Sequence, residues 1–455
     1  MNASAKPTPD ARFAAILSGP ILPTLAKLTA PVLLVITAQL FVSILEAYWV
    51  SRLGTQAVAG VALVLPLFVL MGTMSNGGIG GGVAAAVARA KGAGDHARAD
   101  ALLWHAIVIA IGFGLLFTIA AELAGPMLYA ALGGRGETLQ AALDFSAWVF
   151  GGATIVWLVN LIGAALRGAG EVKLPAKINL AGAAVLVPLS PLLIFGFGPL
   201  PAMGVAGAGL ATLIFYAGAL VAFLLWLRPG THSHRGPLKL ARHPLDPALF
   251  AAIMRVGLVS AVGTLLASLT IVAITGSVGQ YGTAPLAGYG LASRVDSLLV
   301  PLLFGLGTGV VTMVGAASGA GQHARAWRTA WLAAGLAFAG SMVIGLVLMA
   351  APGLWMDWFT ADPAVHAAGS LWFHRVGPSY GFFGLGLMLY FASQGFGRMR
   401  GPLLAGIVRL AVTAGGAAWL ASQAAALDQL YLAAAAGSVM FGLINMAAVW
   451  RARPT

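Results

Sequence analysis

The stretch LTAPVLLVITAQLFVSILEAYWV (28–50) decides the fold class. It runs for 23 residues with one charged side chain, Glu46. A helix needs roughly 20 mostly apolar residues to cross a bilayer, so the segment reads as a crossing. Eleven more stretches of the same kind follow, near 57–86, 102–122, 145–166, 177–197, 203–227, 256–278, 284–316, 329–351, 371–394, 403–425 and 430–450. The whole chain is 60% hydrophobic and only 8% charged, where a soluble domain carries roughly 25% charged residues. That excludes a soluble enzyme, a disordered scaffold and a soluble nucleic-acid binder. The runs lack the apolar–polar alternation of a transmembrane barrel. The 61 glycines and 23 prolines are tolerable in membrane helices, where neighbours re-satisfy freed backbone groups. An all-α integral membrane protein of twelve transmembrane helices is expected.

Lysine and arginine set the orientation. Alternate connections hold Arg89, Lys91 and Arg98; Arg167, Lys173 and Lys177; Arg228, Arg235, Lys239 and Arg242; Arg325 and Arg328; Arg398 and Arg400. Lys6, Arg12, Lys27, Arg451 and Arg453 place both termini on that side, while the opposite connections offer only Arg52 and Arg135. The positive-inside rule makes the basic side cytoplasmic. The net charge of +12 then reflects topology and attraction to anionic lipid, with the bilayer rather than nucleic acid as partner. Pro20 and Pro23 interrupt the first apolar run, so no cleavable signal peptide is read.

The chain resembles itself at an offset of about 227 residues. AKGAGDHARA (90–99) matches ASGAGQHARA (317–326) at eight of ten positions. RGAGEVKLP (167–175) aligns with QGFGRMRGP (394–402) through two glycines and the proline, and LGTQAVAG (53–60) aligns with YGTAPLAG (281–288). Six crossings per repeat put both halves the same way up, as two six-helix lobes related by a pseudo-twofold along the membrane normal. The expected layout is an N-terminal cytoplasmic or interfacial segment (1–27), an N-terminal lobe (28–227), a basic cytoplasmic linker (228–247) and a C-terminal lobe (248–455). The cleft between such lobes is where transporters place substrate.

Of the 13 acidic residues, only Glu46 and Asp296 sit deep in a crossing. A carboxylate there costs roughly 3 kcal/mol on insertion scales, so both mark an ion or substrate path. Arg294 lies two residues before Asp296, a spacing that does not make helix neighbours face each other. It can therefore serve a different partner across the cleft. Arg375 is a further candidate for the cavity, whereas Arg255 and Arg409 lie near span ends and can snorkel. Gln39, Asn76, Asn160 and Asn179 are uncharged polar groups within crossings, where interhelical hydrogen bonding competes with ligand binding. Tyr48, Trp49, Trp157, Tyr289, Phe382 and Phe383 could line an apolar cavity for flat cations. No cysteine is present. His105 and His374 are the only span histidines, without an accompanying Ser–acid spacing, and no metal-ligand set or phosphate loop is found.

Several segments resemble the multidrug and toxic compound extrusion (MATE) family, in its DinF-like bacterial branch. They are EAYWVSRLG (46–54), GAGDHARA (92–99), LRGAGEVKLP (166–175), PLLIFGFG with GVAGAGLAT (191–198, 204–212) and ASRVDSLLVPLLFGLGTG (292–309). The resemblance spans the chain in order. It implies a secondary exporter of organic cations and other amphipathic compounds in the bacterial inner membrane, driven by inward H⁺ or Na⁺ without a cofactor. At the place of Glu46 the family typically has an Asp that couples ion to transport. The family's fifth crossing often carries an Asn and an Asp in N-x-x-L-D-P-L-L-I-F-G; here LVPLSPLLIFG (186–196) puts Leu186 and Ser190 there. Hard cations want several oxygen ligands, so the loss favours H⁺ over Na⁺.

The expected function is a monomeric antiporter. Glu46, Ser190, Thr212 and Asn179 would form the ion-coupling set, and Asp296, Arg294, Tyr48, Asn160, Trp157, Gln39 and Arg375 the substrate cavity. The competing readings are a flippase for lipid-linked or polyanionic substrates, which needs a more cationic cleft, a membrane-embedded enzyme and a passive channel.

Overall fold

The computed structural model describes residues 11–199, 201–228, 237–423 and 425–451, and these fold as helices with no multi-residue strand among them. A short helix α1 (Ala11–Ser18) precedes the first half: α2 (Ile21–Ser51), α3 (Thr55–Thr73) continued through a π-helical turn (Met74–Ile79) into α4 (Gly80–Gly92), α5 (His96–Ala131), α6 (Gly136–Gly151) bent into α7 (Ala153–Gly168), α8 (Lys173–Phe195) and α9 (Val205–Leu227). The second half holds α10 (Pro247–Gly279), α11 (Thr283–Ala292) running into α12 (Arg294–Gly319), α13 (His323–Ala350), a short α14 (Gly353–Met356), α15 (Pro363–Val376) joined by a 3₁₀ turn to α16 (Tyr380–Phe396), α17 (Arg400–Leu410) continued by a π-turn into α18 (Gly416–Ser422), and α19 (Leu427–Trp450). Among the described residues ten helices are long and apolar enough to cross a membrane, the pair α6/α7 makes an eleventh with a 48° bend, and α15/α16 completes the twelve. The chain is a multi-pass membrane protein of two six-helix lobes.

Several helices outrun the apolar stretches that announce them. The first crossing begins at Ile21 rather than 28, the fourth at Gly136 and the tenth at Pro363. Hydropathy reports only the hydrocarbon-embedded part, whereas the helix continues until something caps it. Three acids do that. Asp95 accepts from the Arg98 amide at 2.9 Å, Asp246 from Ala248 at 2.8 Å and Asp362 from Ala364 at 2.8 Å. In the last two a proline follows the cap, where its missing N–H costs nothing.

The sequence repeat is a repeat of turns. Gly94 and Gly321 have φ of 77° and 72°, and Gly170 and Gly397 have 82° and 74°. Each closes a helix in the left-handed conformation that glycine reaches without strain. The same i→i−5 backbone bond follows each: Asp95 to Ala90 (3.0 Å), Gln322 to Ala317 (2.8 Å), Glu171 to Leu166 (2.9 Å) and Arg398 to Ser393 (2.9 Å). All four turns lie at the basic end of the molecule.

The halves also join there, through repeat-related glycines. A Cβ on Gly92 would fall on the Ala316 carbonyl, and one on Gly319 on the Arg89 carbonyl. Both pairs of numbers differ by 227, so α4 and α12 cross on the pseudo-twofold. Farther in, Gly78 meets Ala261 of α10 while Gly305 meets Leu33 of α2. Each central helix therefore packs on the leading helix of the other half. Around this seam Arg89 Nη1 donates to the carbonyls of Gln394 (3.2 Å) and Gly395 (3.1 Å). Thr312 donates to the Arg167 carbonyl (3.1 Å), and Gln394 Nε2 to the Gly77 carbonyl (3.3 Å). At the opposite end α11 packs on α10, α12, α14 and α15 of its own half, so the halves diverge away from the basic end.

A methyl group at the α4–α12 crossing must push backbone aside, which typically costs about 1–3 kcal/mol. Gly92→Ala and Gly319→Ala are each expected to lower the melting temperature of the purified protein. Gly112→Ala and Gly335→Ala, where nothing lies within 4 Å of the added carbon, should leave it within error of the parent. Equal melting of all four variants would show that the crossing is looser than described.

Candidate functional site

Two buried polar centres stand apart, one in each half. The first is on α2 and α8, which pack along each other. Glu46 lies five residues before the end of α2, and Ser190 five before the end of α8. Both are therefore about 7 Å inside the end opposite the basic one, at 1.5 Å per residue. The Glu46 carboxyl faces the Ser190 hydroxyl, which is fully buried and has no closer hydrogen-bond partner. The site's floor is a small apolar cluster of Leu186, Leu193 and Ala211, with Val42 and Phe215 against it. Among the described residues, no cationic side chain bears on Glu46. An acid in this setting has one neutral partner and a change of protonation as its cheapest response to burial.

The other residues expected beside Glu46 do not assemble there. Asn179 lies 11 residues back along α8, about 16 Å from Ser190, and its amide donates to the Pro175 carbonyl at 2.7 Å. Thr212 turns its hydroxyl onto the Ala208 carbonyl of its own helix at 3.1 Å. Tyr48 and Gln39 are exposed on α2, and Tyr48 packs edge-on against Trp49.

The second centre is a cavity of about 280 Å³ in the C-terminal half, lined by Asp296, Tyr289, Tyr380, Phe383, Arg409 and Phe441 among others. Asp296 on α12 faces the Tyr380 hydroxyl, and that hydroxyl takes the Trp372 Nε1–H at 3.3 Å. Arg409 on α17 stands with its guanidinium carbon 4.7 Å from the Phe383 ring centroid and 5.7 Å from that of Phe441. Two such ring contacts supply about 1–4 kcal/mol. A buried ion costs several kcal/mol or more, so the charge of Asp296, within Coulombic reach, is what makes the guanidinium tolerable. The place of Arg409 near a span end suggests snorkelling; the fold instead turns it inward, because α17 packs between α10 and α19 and its guanidinium meets Phe383 of α16.

The other residues expected around the substrate divide as follows. Arg294 parts from Asp296, as their spacing requires, and lies exposed over the Phe359 ring at 5.7 Å. Arg375 does not reach the cavity but pairs with Asp428 at 3.2 Å on the exposed rim. Trp157 does not line a cavity either; it is fully buried and stacks on Phe113 at 5.0 Å in the packing of α5 on α7. Asn160 donates to the Ser75 hydroxyl at 2.8 Å, bracing the π-turn. Tyr289 and Phe383 do line the C-terminal cavity, whereas Phe382 packs against Phe338.

The two span histidines bond to backbone. His105 is buried between the Ala101 carbonyl (2.7 Å) and the Asp246 amide (2.8 Å). His374 is exposed and bonded to the Ser370 carbonyl. Among the described residues, no three His, Cys, Asp or Glu side chains gather as a metal would need.

The arrangement is twelve crossings in two glycine-crossed halves, each with one half-buried acid deep in a crossing. The MatE family model matches residues 31–192 and 260–419. The chain belongs to the MatE family. It is therefore a MATE transporter. It is 26% identical over 403 residues to a protein named FAD transporter from Shewanella oneidensis, covering 87% of each chain. It is 25% identical over 297 residues to the multidrug export protein MepA of Staphylococcus aureus, covering 65% of this chain and 64% of the relative. Among solved structures, a MOP superfamily transporter from Pyrococcus furiosus superposes with a TM-score of 0.85 at 21% identity, over 96% of this chain and 97% of that one. A MATE in its bent conformation superposes at 0.87 and 21% identity, over 97% and 99%. The fold is thus the MATE fold, known in outward-facing, straight and bent conformations.

The seam at the basic end must part if the halves alternate. Arg89 holds it with two charge-assisted bonds, each worth about 1.5–3 kcal/mol. The absence of native cysteine allows a single probe at Thr312, which is buried in the seam. In a Thr312→Cys background, Arg89→Ala is expected to raise the rate of labelling by a membrane-impermeant maleimide at least tenfold. An unchanged rate would mean that Arg89 does not hold the halves together.

Proposed function

We propose that this chain is a secondary exporter that exchanges organic cations or other amphipathic compounds for inward protons, with Glu46 as the protonation switch. The observation that carries this reading is the pairing of Glu46 with the otherwise unpartnered Ser190 over an apolar floor. Protonation removes the charge that burial penalises, and α2 then packs more closely on α8 around Glu46 and Ser190. Competition between proton and substrate for one carboxylate enforces exchange without ATP. A proton moving inward supplies about 2.3 kcal/mol per 100 mV. One carboxylate and one hydroxyl are too few oxygens for a hard cation, which favours H⁺ over Na⁺.

In this reading the N-terminal lobe is 28–227 and the C-terminal lobe 248–455, joined by a basic linker at 228–247, of which 229–236 lie outside the described residues. The segment 1–27 lies at the cytoplasmic face, where α1 packs; its residues 1–10 lie outside the described residues. Both termini and the basic seam are cytoplasmic, the membrane is the bacterial inner membrane, and the protein acts as a monomer. With the basic end joined, the structure corresponds to an outward-facing state.

A second reading has a polyanionic planar compound as the substrate. It is favoured by the Shewanella FAD transporter matching over 87% of both chains, against 65% and 64% for MepA.

The test is efflux from proteoliposomes under imposed pH or Na⁺ gradients, with ethidium and FAD as cargoes. Glu46→Gln should cut proton-driven exchange at least tenfold while elution and melting stay at parental values, and Glu46→Asp should restore part of it. Full pH-driven efflux by Glu46→Gln would refute the switch, and Na⁺-driven efflux would replace the coupling ion.

A further inference from the structure

We infer that the C-terminal cavity is a binding site for planar anionic amphiphiles, with Arg409 as the group that receives their carboxylate or phosphate. It rests on the exporter reading only in calling the occupant a cargo. The two charges in the cavity are not equally provided for. Asp296 has the Tyr380 hydroxyl, itself oriented by Trp372. Arg409 makes no hydrogen bond or ion pair within contact distance among the described residues, and its Nε is buried without an acceptor. The Phe383 and Phe441 rings, 6.1 Å apart, lie to one side of its guanidinium, which leaves the terminal N–H groups as the part open to a ligand. A guanidinium edge matches the paired oxygens of a carboxylate or phosphate. The ligand that completes the site therefore brings acceptors rather than a second cation.

The walls specify the rest of the molecule. Tyr289 stands edge-on to Trp372 at 4.9 Å, and Phe304 edge-on to Phe391 at 5.5 Å, and all four line the cavity. Ring faces of this kind favour a flat polycycle, and about 280 Å³ admits a compact one. Asp296 sets a limit in the opposite sense. It repels the ligand's anion from the Tyr380 side, so the acidic group is confined to the Arg409 side and the ring system lies between. Glu46 belongs to the other half and takes no part in this recognition.

The test is binding, not transport, so its failure is separable from failure of the proton switch. Purified protein in detergent is titrated into fluorescein, a planar anion, and ethidium, a planar cation, with fluorescence anisotropy as readout. Fluorescein is expected to bind at least tenfold more tightly than ethidium. Arg409→Gln should weaken fluorescein at least tenfold, Arg409→Lys should recover part of the loss, and Asp296→Asn should leave fluorescein as tight or tighter. Arg375→Gln, a surface arginine paired with Asp428, should change nothing. Ala267→Phe narrows the cavity from an exposed position on its wall. It tests the site even where a variant of Arg409 fails to fold, and it should weaken fluorescein at least tenfold. Unchanged fluorescein binding in Ala267→Phe or in folded Arg409→Gln would overturn the assignment. So would an ethidium preference abolished by Asp296→Asn.

Discussion

The structure depends on how closely two helix backbones approach where α4 crosses α12. Glycines at 92 and 319 leave no side chain between the helices, so each meets a carbonyl of the other. In lipid, helix association gains little from apolar burial and relies on close packing of small residues. The crossing therefore holds the two halves together. It sits on the pseudo-twofold and joins the halves toward the basic end. Arg89, Arg167 and Gln394 surround it with hydrogen bonds across the seam or beside it.

The two halves share a backbone plan and solve burial of an acid differently. In the N-terminal half Glu46 has one neutral hydroxyl beside it and an apolar floor below. In the C-terminal half Asp296 is offset by Arg409, and aromatic rings carry the guanidinium. The first arrangement suits a group whose charge changes, because nothing else compensates it. The second is close to neutral as it stands and suits recognition by shape and by the free edge of a cation. The repeat thus preserves turns and crossings while the chemistry diverges, as the Arg167–Gln394 pair also shows: the two positions are 227 apart, with Arg167 bonded to Asn76 and Gln394 to Gly77 and Ser260.

Much of this was legible in the residues. Long uncharged runs identify crossings because a backbone in hydrocarbon must satisfy itself. The repeated blocks GAGDHARA and GAGQHARA were readable because a left-handed turn needs its glycine. Glu46 and Ser190 were found through alignment with a family pattern, and they do meet. Asn179, eleven residues away on the same helix, was not separable from them by composition. Neither was Trp157, since a buried tryptophan and a cavity tryptophan look alike in a string. Arg409 carried the signal that singled out Asp296, a charge inside an apolar run, but its position near a span end suggested an escape to the interface.

The sequence by itself determined that the chain crosses a membrane twelve times, that it does so as two like-oriented repeats, and which acid lies alone in the first crossing. These are properties of runs and spacings along one dimension. Only the tertiary structure decided that Arg409 turns into the same cavity as Asp296, that Arg375 is spent on Asp428, and that the halves join toward the basic end. Those facts depend on which helix faces stand opposite each other, and that is fixed by packing between segments hundreds of residues apart.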